Sequence, residues 1–141
     1  MYVTECSVGT ETMNPASARD EMMYGWRETK SNNGIEQLRF IAGLCNSGDF
    51  DAATMKLPLH ERKINGDATD QAILRFSESL GPVSELRSSW RKNFELAFNS
   101  KNKFMIKTLS LVKEDGLNHA FSNVDAATFT SEDMYVFYLT D

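Results

Sequence analysis

Val83-Ser-Glu-Leu86-Arg87-Ser-Ser-Trp90-Arg91-Lys92-Asn-Phe94-Glu95-Leu-Ala97-Phe98 is the stretch on which the fold of this chain turns. Val83, Leu86, Trp90, Phe94, Ala97 and Phe98 recur at steps of three and four, the interval that stacks side chains on one face of a helix. Gly81-Pro82 stops whatever precedes it, because proline lacks a donor and keeps its predecessor out of helical geometry. The spacing predicts a helix over 83–98 with Trp90, Phe94 and Phe98 pointing into a core.

Upstream, Asp67 stands where a helix cap belongs, ahead of Thr69, Ile73, Phe76 and Leu80. Ile35, Leu38, Ile41, Ala42 and Cys45, widened by Phe40 and Leu44, predict a well-buried helix to Asn46. Asp49 is read as the cap of a short helix, Phe50 to Leu57, that ends before Pro58. Asn14-Pro15 opens a first helix carrying Ala18, Met22 and Trp26, and Ser31-Asn32-Asn33-Gly34 closes it.

Downstream, Asn99 to Asn102 breaks the pattern, and Met105, Ile106, Leu109 and Val112 predict a sixth helix over 103–115. Residues 2–9 read as a strand or extended arm, with Thr10 to Met13 as loop. Met134 to Leu139 is aromatic enough for a strand, but Thr130-Ser-Glu-Asp133 resembles a capping box and tips the reading to helix. The expectation is an all-α, compact bundle of five to seven helices with short extended or strand-like termini. It forms one helical domain over 1–141, with 1–13 as an arm.

A chain of 141 residues is long enough for one core without staples. Two cysteines, Cys6 and Cys45, are too few for a disulfide scaffold. The N-terminus lacks the basic and apolar regions of a signal peptide, and no apolar run approaches membrane-spanning length. A cytoplasmic location with no membrane contact is therefore expected. The acidic net charge of −5 disfavours indiscriminate binding to polyanions.

Catalytic motifs fail on spacing. His60-Glu61-Arg62-Lys63-Ile64 begins like a zinc-protease helix, but Ile64 stands where the second histidine is needed. His60, His119, Cys6 and Cys45 contain no close ligand pair. Asp49 and Asp51, and Asn65, Asp67 and Asp70, lack the glycine and distal glutamate of a calcium loop, and helix capping accounts for them. No glycine-rich phosphate loop occurs. No catalytic residue, cofactor or metal is predicted.

The segment from Arg87 to Lys107 has its own charge. Arg87, Arg91, Lys92, Lys101, Lys103 and Lys107 face Glu95 alone, giving +5 and leaving −10 for the remainder. With Trp90, Phe94, Phe98 and Phe104 interleaved, this composition suits a nucleic-acid groove, cations for phosphates and rings for bases. The helical spacing instead sends the rings inward and leaves the bases on a solvated face, available to an acidic partner or another copy of the chain. Met22, Met23, Tyr24 and Trp26 add an adaptable contact surface.

Phe40-Ile-Ala-Gly-Leu-Cys-Asn-Ser-Gly-Asp-Phe-Asp-Ala-Ala53 resembles the helix–turn–helix core of a tetratricopeptide or pentatricopeptide repeat. The resemblance implies Gly48 as the turn and Ala52 or Ala53 as the small packing residue. It occurs once, where such families stack several copies. Phe98-Asn-Ser-Lys101 with Tyr138-Leu-Thr-Asp141 is similar to the start of domains that bind the RNA polymerase II tail, and no functional residue carries across.

The sequence reading is thus a non-enzymatic protein-interaction or small regulatory module that can self-associate. Its contact residues are Met22, Met23, Tyr24, Trp26, Arg87, Arg91, Lys92, Lys101, Lys103 and Lys107. The alternative is a nucleic-acid binder using the basic segment. An enzyme built from dispersed groups around His60 or His119 is the third reading.

Overall fold

A computed structural model of the protein describes residues 1–24, 31–112 and 134–140, with side-chain surroundings for 1–23 and 34–112. Its elements in chain order are β1 (Cys6–Val8), β2 (Glu11–Met13), α1 (Pro15–Tyr24), α2 (Ser31–Leu44), β3 (Asp49–Phe50), β4 (Ile64–Asn65), α3 (Ala68–Leu80), α4 (Val83–Ser89), β5 (Trp90–Leu96), β6 (Phe104–Leu111) and β7 (Met134–Thr140). Among the described residues there are four α-helices and three antiparallel sheets: β1-β2, β3-β4 and β5-β6-β7. The fold is mixed α/β, which corrects the expected all-α bundle.

The correction is largest where the sequence looked clearest. The helix that starts at Val83 stops at Ser89, and Trp90–Leu96 is pleated. Trp90, Phe94 and Phe98 are four residues apart, and four is also a multiple of the strand period of two. Their spacing therefore fits a strand as well as a helix. The expected sixth helix is likewise β6, in which Met105, Lys107, Leu109 and Leu111 alternate inward. The aromatic run from Met134 pairs with β6 in place of forming a helix.

Other boundaries shift for local reasons. Asn14 Oδ1 accepts the Ser17 N–H at 2.8 Å, so the first N-cap is as predicted. Ser31, read as the end of that helix, begins α2. Asp67 caps α3 through the Asp70 N–H at 2.8 Å. Asp49 caps nothing: it pairs with Asn65 in the β3–β4 ladder, and the expected helix shrinks to a 3-10 turn at Ala52–Thr54 capped by Asp51. The helix–turn–helix implied by the repeat resemblance is therefore not formed. Thr10 to Met13 is partly the strand β2. Residues 113–133, which hold the capping-box stretch and His119, lie outside the described residues, as does Trp26.

Helix α2 is the hinge of the packing. Its Phe40 and Leu44, with Cys45 just past its end, join Leu86, Trp90, Met105, Leu109 and Leu111 in one buried cluster between helix and sheet. Phe40 and Trp90 meet edge to face at 6.1 Å, a geometry their ring quadrupoles favour. Ile35 and Ala42 turn the other way and pack with Ala18, Phe76 and Leu80, under the β1–β2 hairpin. Gly43 permits the crossing: a Cβ there would lie 2.7 Å from the Ser77 Oγ and 2.8 Å from the Leu86 Cδ2.

Candidate functional site

The hairpin β5–β6 carries the site, and a β-bulge sets which residues face where. Trp90 pairs with Leu111 and Lys92 with Leu109, but Phe94 pairs with Thr108 and Glu95 with Lys107. One extra residue at Asn93 has been inserted, and such an insertion exchanges the two faces of everything beyond it. Trp90 is 5% exposed, whereas Phe94 is 56% exposed. The same step turns Glu95 inward.

Glu95 then meets two lysines. Its Oε2 accepts from Lys92 Nζ at 2.5 Å, and its Oε1 lies 3.5 Å from Lys107 Nζ. Ser47 Oγ donates to the same Oε1 at 3.3 Å. Lys107 is buried and also donates to the Asn46 carbonyl at 2.5 Å, tying the sheet to the end of α2. The Lys92 hydrogen bond, chiefly, holds the Glu95 carboxyl below the usual glutamate range. Burial pushes the Lys107 ammonium below the usual lysine range, opposed by Glu95.

These groups wall a cleft of about 430 Å3. Arg87, also on its wall, donates to the Gly43 carbonyl at 3.0 Å and pairs with Asp49 at 2.6 Å. Asn46 closes the loop: its Nδ2 donates to the Asp70 carbonyl at 3.0 Å and its Oδ1 accepts the Gly48 N–H at 2.7 Å. Burial, then the neighbouring Asp67, raises the Asp70 carboxyl, while the Ser47 N–H and the cations Lys107 and Arg87 pull it down. Burial likewise raises the Cys45 thiol, as expected of an inert cysteine.

At the other end of the hairpin the chain opens to solvent. Phe98 follows β5 and is 47% exposed. Asn99 accepts the Lys103 N–H through its carbonyl at 2.9 Å and the Asn102 N–H through Oδ1 at 2.8 Å, closing a tight turn. Lys103 takes a left-handed φ of 62° to complete it. Lys101 and Lys103 are both exposed.

Of the residues singled out from sequence, those that the structure describes separate. Arg87, Lys92 and Lys107 converge on the cleft, and Lys107 is a core residue rather than a solvated base. Arg91 lies on the outer side of β5, opposite Ser110. Lys101 and Lys103 lie on the turn with Phe98. Met22 packs beneath the N-terminal hairpin, Met23 is exposed, and Tyr24 ends α1. His60 is exposed beside Glu61 and does not line this cleft; it lies on a separate hollow with Tyr2, Arg75 and Phe76. Sequence reasoning missed Asn46 and Ser47, whose roles depend on strands that it had read as helices. Among the described residues no group of three or more His, Cys, Asp or Glu side chains could hold a metal ion.

Residues 34–122 match the family model of the P-type ATPase cytoplasmic domain N. The chain belongs to that family. It is similar to the sodium/potassium-transporting ATPase subunit alpha-4 of Homo sapiens, 43% identical over 87 residues, or 61% of this chain and 8% of that protein. The alpha-4 subunit of Rattus norvegicus is 36% identical over 110 residues, covering 77% and 11%. The potassium-transporting ATPase alpha chain 2 of Cavia porcellus is 39% identical over 87 residues, covering 56% and 8%. The chain thus spans about a tenth of the length of these relatives.

Membership overturns the expected interaction or regulatory module and its nucleic-acid alternative. It also corrects the placing of the chain outside the enzymes: the relatives are ATPases, and this chain covers a fragment of one of their domains. The matched family model is that of a cytoplasmic domain, and no described helix is long and apolar enough to cross a membrane.

Proposed function

We propose that this chain is a piece of a cation-transporting P-type ATPase, lies on the cytoplasmic side, and contributes to holding ATP. The observation that carries the reading is the β5–β6 turn, which falls inside the family-matched span. There an exposed aromatic ring, Phe98, adjoins in sequence two exposed lysines, Lys101 and Lys103. An adenine offers a flat face that stacks on an aromatic ring, a contact worth about 1–3 kcal/mol per base. A triphosphate needs cations. The rings-and-cations chemistry noticed in the sequence suits one nucleotide at a turn better than a polymer along a groove, because the remaining basic residues do not line up with it. Lys107 and Glu95 support the reading from below, by fixing the hairpin to the helical layer.

The test is ATP titration of the chain, read by NMR chemical shifts. Saturable shifts around residues 98–103 are expected, with affinity weakened about 10-fold or more by Phe98→Ala, the loss of one stacked base. Lys103→Ala should weaken ATP more than adenosine. Equal binding by the two variants and the parent chain, with folding intact, defeats the proposal.

A further inference from the structure

The β3–β4 ladder is two residues long, pairing Asp49 with Asn65 and Phe50 with Ile64. It ends in Asn65-Gly66, and Asn65 is exposed. Gly66 has a φ of 147°, and a Cβ there would lie 3.1 Å from the Gly48 Cα. Glycine is thus required by its own backbone and by the close approach of the Asn46–Asp49 loop. With no Cβ on Gly66, no side chain of its own shields its amide nitrogen from the Asn65 side chain.

We infer that Asn65 is a site of spontaneous deamidation, with consequences at the cleft. The Gly66 amide nitrogen gives up its proton to solvent base and attacks the Asn65 Cγ. The C–N bond to the side-chain amide breaks, and ammonia leaves with a proton returned from water. The resulting succinimide ring is opened by water at either carbonyl, giving aspartate or isoaspartate. Net, one water enters and one ammonia departs, with no change of oxidation state.

The new carboxylate arises directly opposite Asp49. Residues opposite each other in an antiparallel pair share a face, and like charges there are destabilising. Asp49 is the partner of Arg87 on the cleft wall. The modification therefore sets a negative charge in competition for that guanidinium. In the isoaspartyl form it also lengthens the backbone ahead of the α3 cap, Asp67. Both effects loosen the loop whose Asn46 carbonyl receives Lys107. A second Asn-Gly pair, Asn33-Gly34, lies within helix α2, where the Gly34 amide belongs to helical backbone.

The test is incubation of the whole chain at mildly alkaline pH, with digestion and mass spectrometry that resolves aspartyl from isoaspartyl peptides. Asn65 is expected to lose its amide before Asn33 and Asn99, and Asn65→Gln should abolish the product. Retention of the Asn65 amide while either other residue converts overturns the inference. Asn65→Asp, which supplies the charge alone, should hasten hydrogen exchange across residues 46–49. Unchanged exchange overturns the link to the cleft. Both outcomes are independent of ATP binding.

Discussion

Glu95 and Lys107 face each other across β5 and β6 only because Asn93 adds a residue to one strand. Without that bulge Phe94 would stand opposite Lys107, and Glu95 would point to the outer side. The pair then links three elements: β5, β6 and, through Asn46 and Ser47, the end of α2.

Breaking this pair should cost more than its attraction is worth. Removing one partner leaves a charge in the interior, a loss of about 3–5 kcal/mol for buried pairs. Lys107→Ala or Glu95→Ala should lower stability to urea in that range, toward its lower end for Lys107→Ala, which leaves Glu95 partly exposed and still paired with Lys92. The double replacement Glu95→Ala with Lys107→Ala should cost less than the two single losses added together. Purely additive effects in the double-mutant cycle would refute the coupling.

Acid should weaken the fold through Glu95. Its folded carboxyl titrates below the usual glutamate range, so the unfolded chain binds the proton first as pH falls. The contribution is complete above the ordinary glutamate value and is lost as pH drops through the depressed folded one. Urea midpoints measured across that window should fall less steeply in Glu95→Gln than in the parent chain. Asp70, raised in the folded state, acts in the opposite sense and should be removed as Asp70→Asn to isolate the effect.

The bulge predicts unequal costs for neighbouring aromatics. Trp90→Ala opens the cluster around Phe40 and Leu109 and should cost about 3–5 kcal/mol. Phe94→Ala, on the open side, should stay within roughly 0.5 kcal/mol. Thermal or denaturant unfolding of the two variants checks this directly, and equal losses would mean that Phe94 is buried too.

Gly43 should not accept even a methyl group. With contacts of 2.7 and 2.8 Å to Ser77 and Leu86, Gly43→Ala should cost about 1–3 kcal/mol of overpacking, despite the better helix propensity of alanine. Pairing it with Leu86→Ala should relieve part of the strain. A stabilised single variant would show that α2 and α4 have room to part.

The sequence by itself determined the local and strongly periodic parts: the Asn14 and Asp67 caps, the burial of α2 and the course of α3 to Leu80. These depend on residues within a turn or two of each other. The tertiary structure decided the described residues downstream of Ser89. A four-residue spacing satisfies both helix and strand, and only pairing with β6 selects the strand. The bulge at Asn93 is defined by a partner strand, so no inspection of 90–98 alone could reveal that Phe94 turns out or that Glu95 turns in. For the same reason Lys107 read as a surface base: its burial comes from Asn46, 61 residues away.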